Sequence, residues 1–291
     1  MKALDTFLEQ AWNEHADHAV AVAARLPEGL SLVEDDDGVM RLATLAHHVL
    51  GEHLGSWQDG LAFFAQLSER GVHGASGAAS IARCRASLRL SSGQGDDRAG
   101  MSASDQCRVT AMAAGNVGAS DTARASTLLQ GAVARAGDLP DSDPGVRALA
   151  ASSHGIAATL QERVPLEPGS RELMIRAAQV SRQQWERAGT WLEVERAEYR
   201  LAVCWSAAGD PVQALRHARH CDAIVRENGS VPLEVFFAAE ALCLPARALG
   251  DSATAAPALA TARQAFIALA PTDQAWCRVT LDRLDAAGVS P

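Results

Sequence analysis

Ala202, Trp205, Gly209-Asp210, Ala214, Ala218 and Cys221 return as Cys243, Ala246, Gly250-Asp251, Ala255, Leu259 and Ala262, each 41 positions further along the chain. In both copies a small or apolar face with helical spacing runs into Gly-Asp, and a second such face begins shortly beyond it. The pattern predicts a helix, a tight turn, and a second helix folded back on the first. From 193 to 270 the chain therefore reads as two successive helix hairpins.

The composition extends that reading outward. Apolar residues make up 48% of the 291 positions, yet only 4% of the positions are aromatic, and alanine dominates the small residues. Alanine is the best helix former and lets helix axes approach closely, which favours stacked helices. No β-branched, period-two runs of the kind that mark strands occur. A chain this long is large for one globular core, and an array growing in one dimension avoids that limit. The expected class is all-α.

Helices are predicted at 3–25, stopped by Leu26-Pro27-Glu28-Gly29, and through 39–67, interrupted at Leu54-Gly55. Further helices are expected at 76–90, 97–114, up to 136 after a turn at Asn116-Val117-Gly118, 145–163, 170–187, 191–207, 211–226, 233–249, 252–269 and 272–286. That makes about thirteen helices. Pro245 and Pro257 fall inside this pattern, where a kink or shifted boundary is expected. The acidic run Glu34-Asp35-Asp36-Asp37-Gly38 lacks the alternating ligands of a calcium loop and reads as a solvated turn capping the next helix. The strongest breaker, Gly137-Asp138-Leu139-Pro140-Asp141-Ser142-Asp143-Pro144, marks a candidate break near 137–145. Composition does not change across it, so one domain over 1–291 is expected.

With these residues in view, the chain resembles the tetratricopeptide-repeat family. The small positions of that family's signature fall on Ala202, Ala214 and Cys221, then on Cys243, Ala255 and Ala262. Weaker copies are carried by Gln161, Leu173, Ala177 and Val180, by Ala111, Gly118, Ala123 and Thr127, and by Leu54-Gly55-Ser56-Trp57 through Gly60, Phe64 and Leu67. The spacing of 41 exceeds the family's usual 34, and the aromatic at the fourth position is missing. The resemblance implies a right-handed superhelix of stacked antiparallel hairpins, with another α-solenoid as the alternative. It also implies that the first helix of each hairpin lines a concave groove. That carries the partner-binding role to Arg196, Tyr199, Val203, Phe237, Glu240, Leu244 and Arg247.

Candidate chemistry elsewhere is sparse. His217 and Cys221 lie one helical turn apart, but Cys221 holds a packing position and a structural zinc site needs four ligands. His47-His48, Glu52 and His53 lack the order of a zinc-protease helix and read as core and surface histidines. Cys84 stands between Arg83 and Arg85, which lowers a thiol pKa only if those side chains surround it in space. The densest basic patch, Arg83, Arg85 and Arg89 with Arg98 beyond the loop, suits a carboxylate or acidic partner, and Arg85 and Arg89 share a face. No phosphate loop, dinucleotide fingerprint or nucleophile elbow is present. No catalytic residue, cofactor or metal ligand is assigned.

The net charge of -9 disfavours a direct nucleic-acid binder. The six cysteines, dispersed and without a C-x-x-C pair, read as buried hydrophobes of a reducing compartment. The N-terminus does not have the form of a signal peptide, and no apolar run reaches membrane-spanning length. A cytoplasmic protein is expected. The leading function is a scaffold binding a protein or peptide on its concave face, with self-association compatible. The alternative is a sensing regulator acting through a partner chain, as the resemblance to arrays in bacterial transcription regulators implies. An enzyme is the least favoured reading.

Overall fold

The computed structural model describes residues 3–163 and 165–286, and every regular element among them is helical. In order these are α1 (Ala3–Leu32), α2 (Asp36–His47), a π-helical turn (His48–His53), α3 (Trp57–Glu69), α4 (Ala75–Ser92), α5 (Ala103–Gly118) and α6 (Thr122–Ala136). Then follow α7 (Pro144–Gln161), α8 (Pro168–Ala188), α9 (Trp191–Ala207), α10 (Pro211–Glu227), α11 (Pro232–Ala248), α12 (Ser252–Ile267) and α13 (Pro271–Ala286). No helix among the described residues is long and apolar enough to cross a membrane.

The two Gly-Asp pairs fold alike. Gly209 and Gly250 have φ of 80° and 71°, a left-handed backbone that a side chain would strain. The Asp210 N–H reaches back to the Trp205 carbonyl at 3.0 Å, and the Asp251 N–H to the Ala246 carbonyl at 2.8 Å. Carbonyls left over at the ends of α9 and α11 are thereby satisfied. Asp210 and Asp251 next cap α10 and α12, each accepting from the backbone three residues on, Gln213 and Thr254, at 3.0 Å. Repeated sequence has produced repeated geometry.

The chain forms two compact units, Met1–Ser152 and Ser153–Pro291. In the second, α9 packs on α10 and α11 on α12, while α9 also meets α11 and α13 closes against α11 and α12. Ala202, Ala214, Ala218, Cys221, Cys243, Ala246, Ala255 and Ala262 are all buried to 5% exposure or less. Small side chains at these positions let the helices approach closely. In the first unit, α1 packs on α2, α2 and α3 on α4, α4 on α5, and α5 on α6. Its core holds the fully buried Leu26, Leu42, Leu45, Phe64, Leu67 and Leu88.

Three local expectations change. The first helix does not stop at 26–29: α1 runs through Pro27 to Leu32, and its backbone leaves helical geometry instead at His18 (φ -133°, ψ 40°). Burial of Leu26, Gly29 and Leu30 holds the last turns in place, Gly29 lying against Leu42 and Phe7. Asn116-Val117-Gly118 is not a turn but the end of α5. Asn116 is buried there and donates to Ser91 Oγ at 2.9 Å, and Asp121 caps α6 on the Arg124 N–H. Pro245 and Pro257 interrupt neither α11 nor α12. The acidic run does cap helices. Asp35 accepts from Gly38 N, and Asp36 from Gly74 N and Gly77 N at the start of α4, all at 2.7–2.8 Å.

Candidate functional site

Glu195, Arg196, Tyr199 and Arg200 are spaced i, i+1, i+4 and i+5 on α9, which gathers them on one side of that helix. Leu233, Glu234 and Phe237 repeat the spacing on α11. Where the two helices meet, these residues line a cavity of about 380 Å³, with His154 of α7 and Trp276 of α13 completing the wall.

One side of the cavity is aromatic. The Tyr199 and Phe237 rings lie 5.5 Å apart and the Phe237 and Trp276 rings 5.1 Å apart, with Trp276 64% exposed at the rim. Tyr199 is fixed by its hydroxyl, which donates to Glu240 Oε2 at 2.9 Å, and Arg283 neutralises that carboxylate. Glu240 is buried, so it positions Tyr199 and does not line the cavity.

The other side is charged. Arg196 donates to Glu234 Oε1 at 2.6 Å. Glu195 is 1% exposed; its Oε1 accepts from the Cys221 thiol at 2.9 Å and its Oε2 has no hydrogen-bond partner. Burial lifts the Glu195 carboxyl to about 7; the Cys221 bond opposes this and neighbouring Glu234 adds to it. Arg200 donates to the neutral Gln161 side chain at 3.0 Å, and its buried Nε has no partner. His154 is pushed down to about 4 by burial and then by the Arg200 and Arg196 charges. With Arg196 paired to Glu234, Arg200, whose side-chain partner Gln161 is neutral, is left to attract negative charge into the cavity.

Of the residues assigned from sequence, the cavity unites Arg196, Tyr199 and Phe237. Val203 and Leu244 are half-buried outside it, and Arg247 donates to the Leu284 carbonyl at 2.6 Å. Arg85 is exposed on α4, and Arg89 pairs with Asp97 at 3.0 Å. Arg83 pairs with Asp105 and Arg98 with Asp96, so most of the basic patch is neutralised internally. His154, Glu195, Arg200, Leu233, Glu234 and Trp276 went unassigned. Helical spacing around Tyr199 and Phe237 points to four of them, whereas His154 and Trp276 lie outside the repeated pair and carry no such signal.

Cys84 is buried and pushed up to about 12 by desolvation, which outweighs Arg83 and Arg108. Two side-chain groups among the described residues have metal-ligand geometry: Glu198 with His217 and His220, and His15 with His48 and His53. In the first, Glu198 is engaged by Arg182 at 2.8 Å and by His217 at 2.6 Å. Burial raises the Glu198 carboxyl, but those two hydrogen bonds prevail and hold it below its ordinary value. Cys221 turns away from His217 to Glu195. Comparison with family models, curated proteins and solved structures returned no match.

Proposed function

We propose that this protein is a peptide-binding scaffold built from tetratricopeptide-like hairpins stacked in a right-handed sense. The cavity between α9 and α11 holds an apolar or aromatic side chain next to a carboxylate of its ligand. What supports this is one observation: an aromatic wall of Tyr199, Phe237 and Trp276 stands beside Arg196 and Arg200 in a single cavity. Rigid aromatic rings supply contact area at low entropic cost, and guanidinium groups match carboxylates geometrically.

The test is a fluorescence-anisotropy screen of labelled peptides that combine an aromatic residue with acidic neighbours, set against sequences in which Lys replaces the acids. Acidic peptides are expected to bind. The double variant Tyr199→Ala, Arg196→Ala should weaken them more than tenfold, at least ~1.4 kcal/mol, with its helical circular-dichroism spectrum unchanged. Equal binding of the basic set, or undiminished binding by the folded double variant, would overturn the proposal.

A further inference from the structure

In an α-helix, residues five apart diverge by roughly 140° around the axis, so His48 and His53 would face different ways. The π-helical turn His48–His53 changes this, because its wider i→i+5 winding brings its two ends to one side. His48 Nε2 and His53 Nε2 come within 3.0 Å of each other. His15 of α1 joins them: its ring centroid lies 5.0 Å from that of His48 and 5.2 Å from that of His53, and one nitrogen from each of the three rings falls within 4.8 Å of the others. Such turns are rare, and this one sets His48 beside His53.

The outer atoms of two rings are already engaged. His48 Nδ1 lies 2.7 Å from Glu52 Oε2, and His15 Nδ1 lies 2.6 Å from the Trp12 carbonyl. Both partners are acceptors, so each Nδ1 is the nitrogen that carries the proton, and in a neutral imidazole this leaves Nε2 as the atom that can ligate. A carboxylate or carbonyl fixing the far nitrogen is the arrangement that orients metal-bound imidazoles. Two nitrogens bound to one tetrahedral zinc ion at ~2.0–2.1 Å stand about 3.3–3.4 Å apart, close to the observed separation. Trp12 holds His15 against the pair of His48 and His53, its carbonyl accepting from His15 Nδ1 and its ring packing on the imidazole at 5.0 Å.

We propose that His15, His48 and His53 bind one divalent transition-metal ion, zinc by ligand type, with Glu52 orienting His48. Three imidazoles leave a fourth position for water or a small anion. His48, Glu52 and Trp12 also border a cavity of about 250 Å³, which gives such a ligand room.

Chelator-treated, dialysed protein is titrated with zinc chloride by calorimetry and with cobalt(II) chloride by visible absorbance. One ion per chain is expected, with the visible bands of tetrahedral cobalt. His53→Ala, at an exposed position, and His15→Ala should each weaken zinc at least tenfold. Glu52→Gln should weaken it about tenfold or more, and His217→Ala, in the other cluster, should leave it unchanged. Circular dichroism verifies the fold of every variant, and the folded His53→Ala protein decides the matter if His15→Ala does not fold. No stoichiometric uptake, unchanged affinity in His53→Ala, or a loss confined to His217→Ala would overturn the proposal.

Discussion

At the scale of single residues, Glu195 shows how burial sets chemistry. Its carboxyl rises from an ordinary 4.5 to about 7 because water is excluded and Glu234 is close by, while the Cys221 donor and the Arg196 charge oppose the shift without cancelling it. The native state thus holds the proton more tightly than the unfolded chain does. Stability from this group is complete below about 4.5, declines as pH rises toward about 7, and is then lost. Glu195→Gln removes that dependence: its amide donates toward Glu234 at every pH, and its carbonyl still accepts from Cys221. The variant should match wild type near pH 4 and exceed it at pH 8. Urea melts at the two pH values measure this. Equal stability at pH 8 would show that Glu195 ionises without cost.

Among the elements, the hairpins rest on small residues where helices cross. Ala214 is completely buried at the start of α10, which packs on both α9 and α11. Ala214→Leu should overpack that crossing and lower stability by ~1–3 kcal/mol. A thermal melt like that of wild type would mean that the repeat register is misplaced. That register was legible because the Gly-Asp turn, its aspartate cap and the small positions recur together, and each is dictated by local chemistry. α9 lies at 191–207 in both sequence and structure for this reason. The end of α1 was not legible, since burial of Leu26 and Leu30 overrides the local preference of Pro27. The π-helical turn was equally hidden: it converts an i, i+5 pair into neighbours, a spacing that helical periodicity reads as divergent. The cavity was half legible, as Arg196, Tyr199 and Phe237 share faces of α9 and α11, whereas His154 and Trp276 arrive through packing between distant segments.

For the whole molecule, the cysteines report how completely these helices close. All six, Cys84, Cys107, Cys204, Cys221, Cys243 and Cys277, are thiols and all are buried. Burial pushes Cys84 and Cys204 up to about 12 and Cys277 up to about 11, and it raises Cys221 and Cys243 as well. Only the thiolate attacks a disulfide reagent, so native reactivity is suppressed twice, by access and by ionisation. A label must wait for helices to open, and opening of packed faces is rare in a stable fold. Two of the thiols belong to the first unit and four to the second, so the labels sample both. Native protein at pH 8 should therefore release almost no colour from an aromatic disulfide reagent within minutes, while protein in guanidinium chloride should release six equivalents per chain. Prompt reaction of one or more thiols in the native state would mean that the helix face bearing it is open to solvent, and mass spectrometry of the labelled peptide would name which packing assignment is wrong.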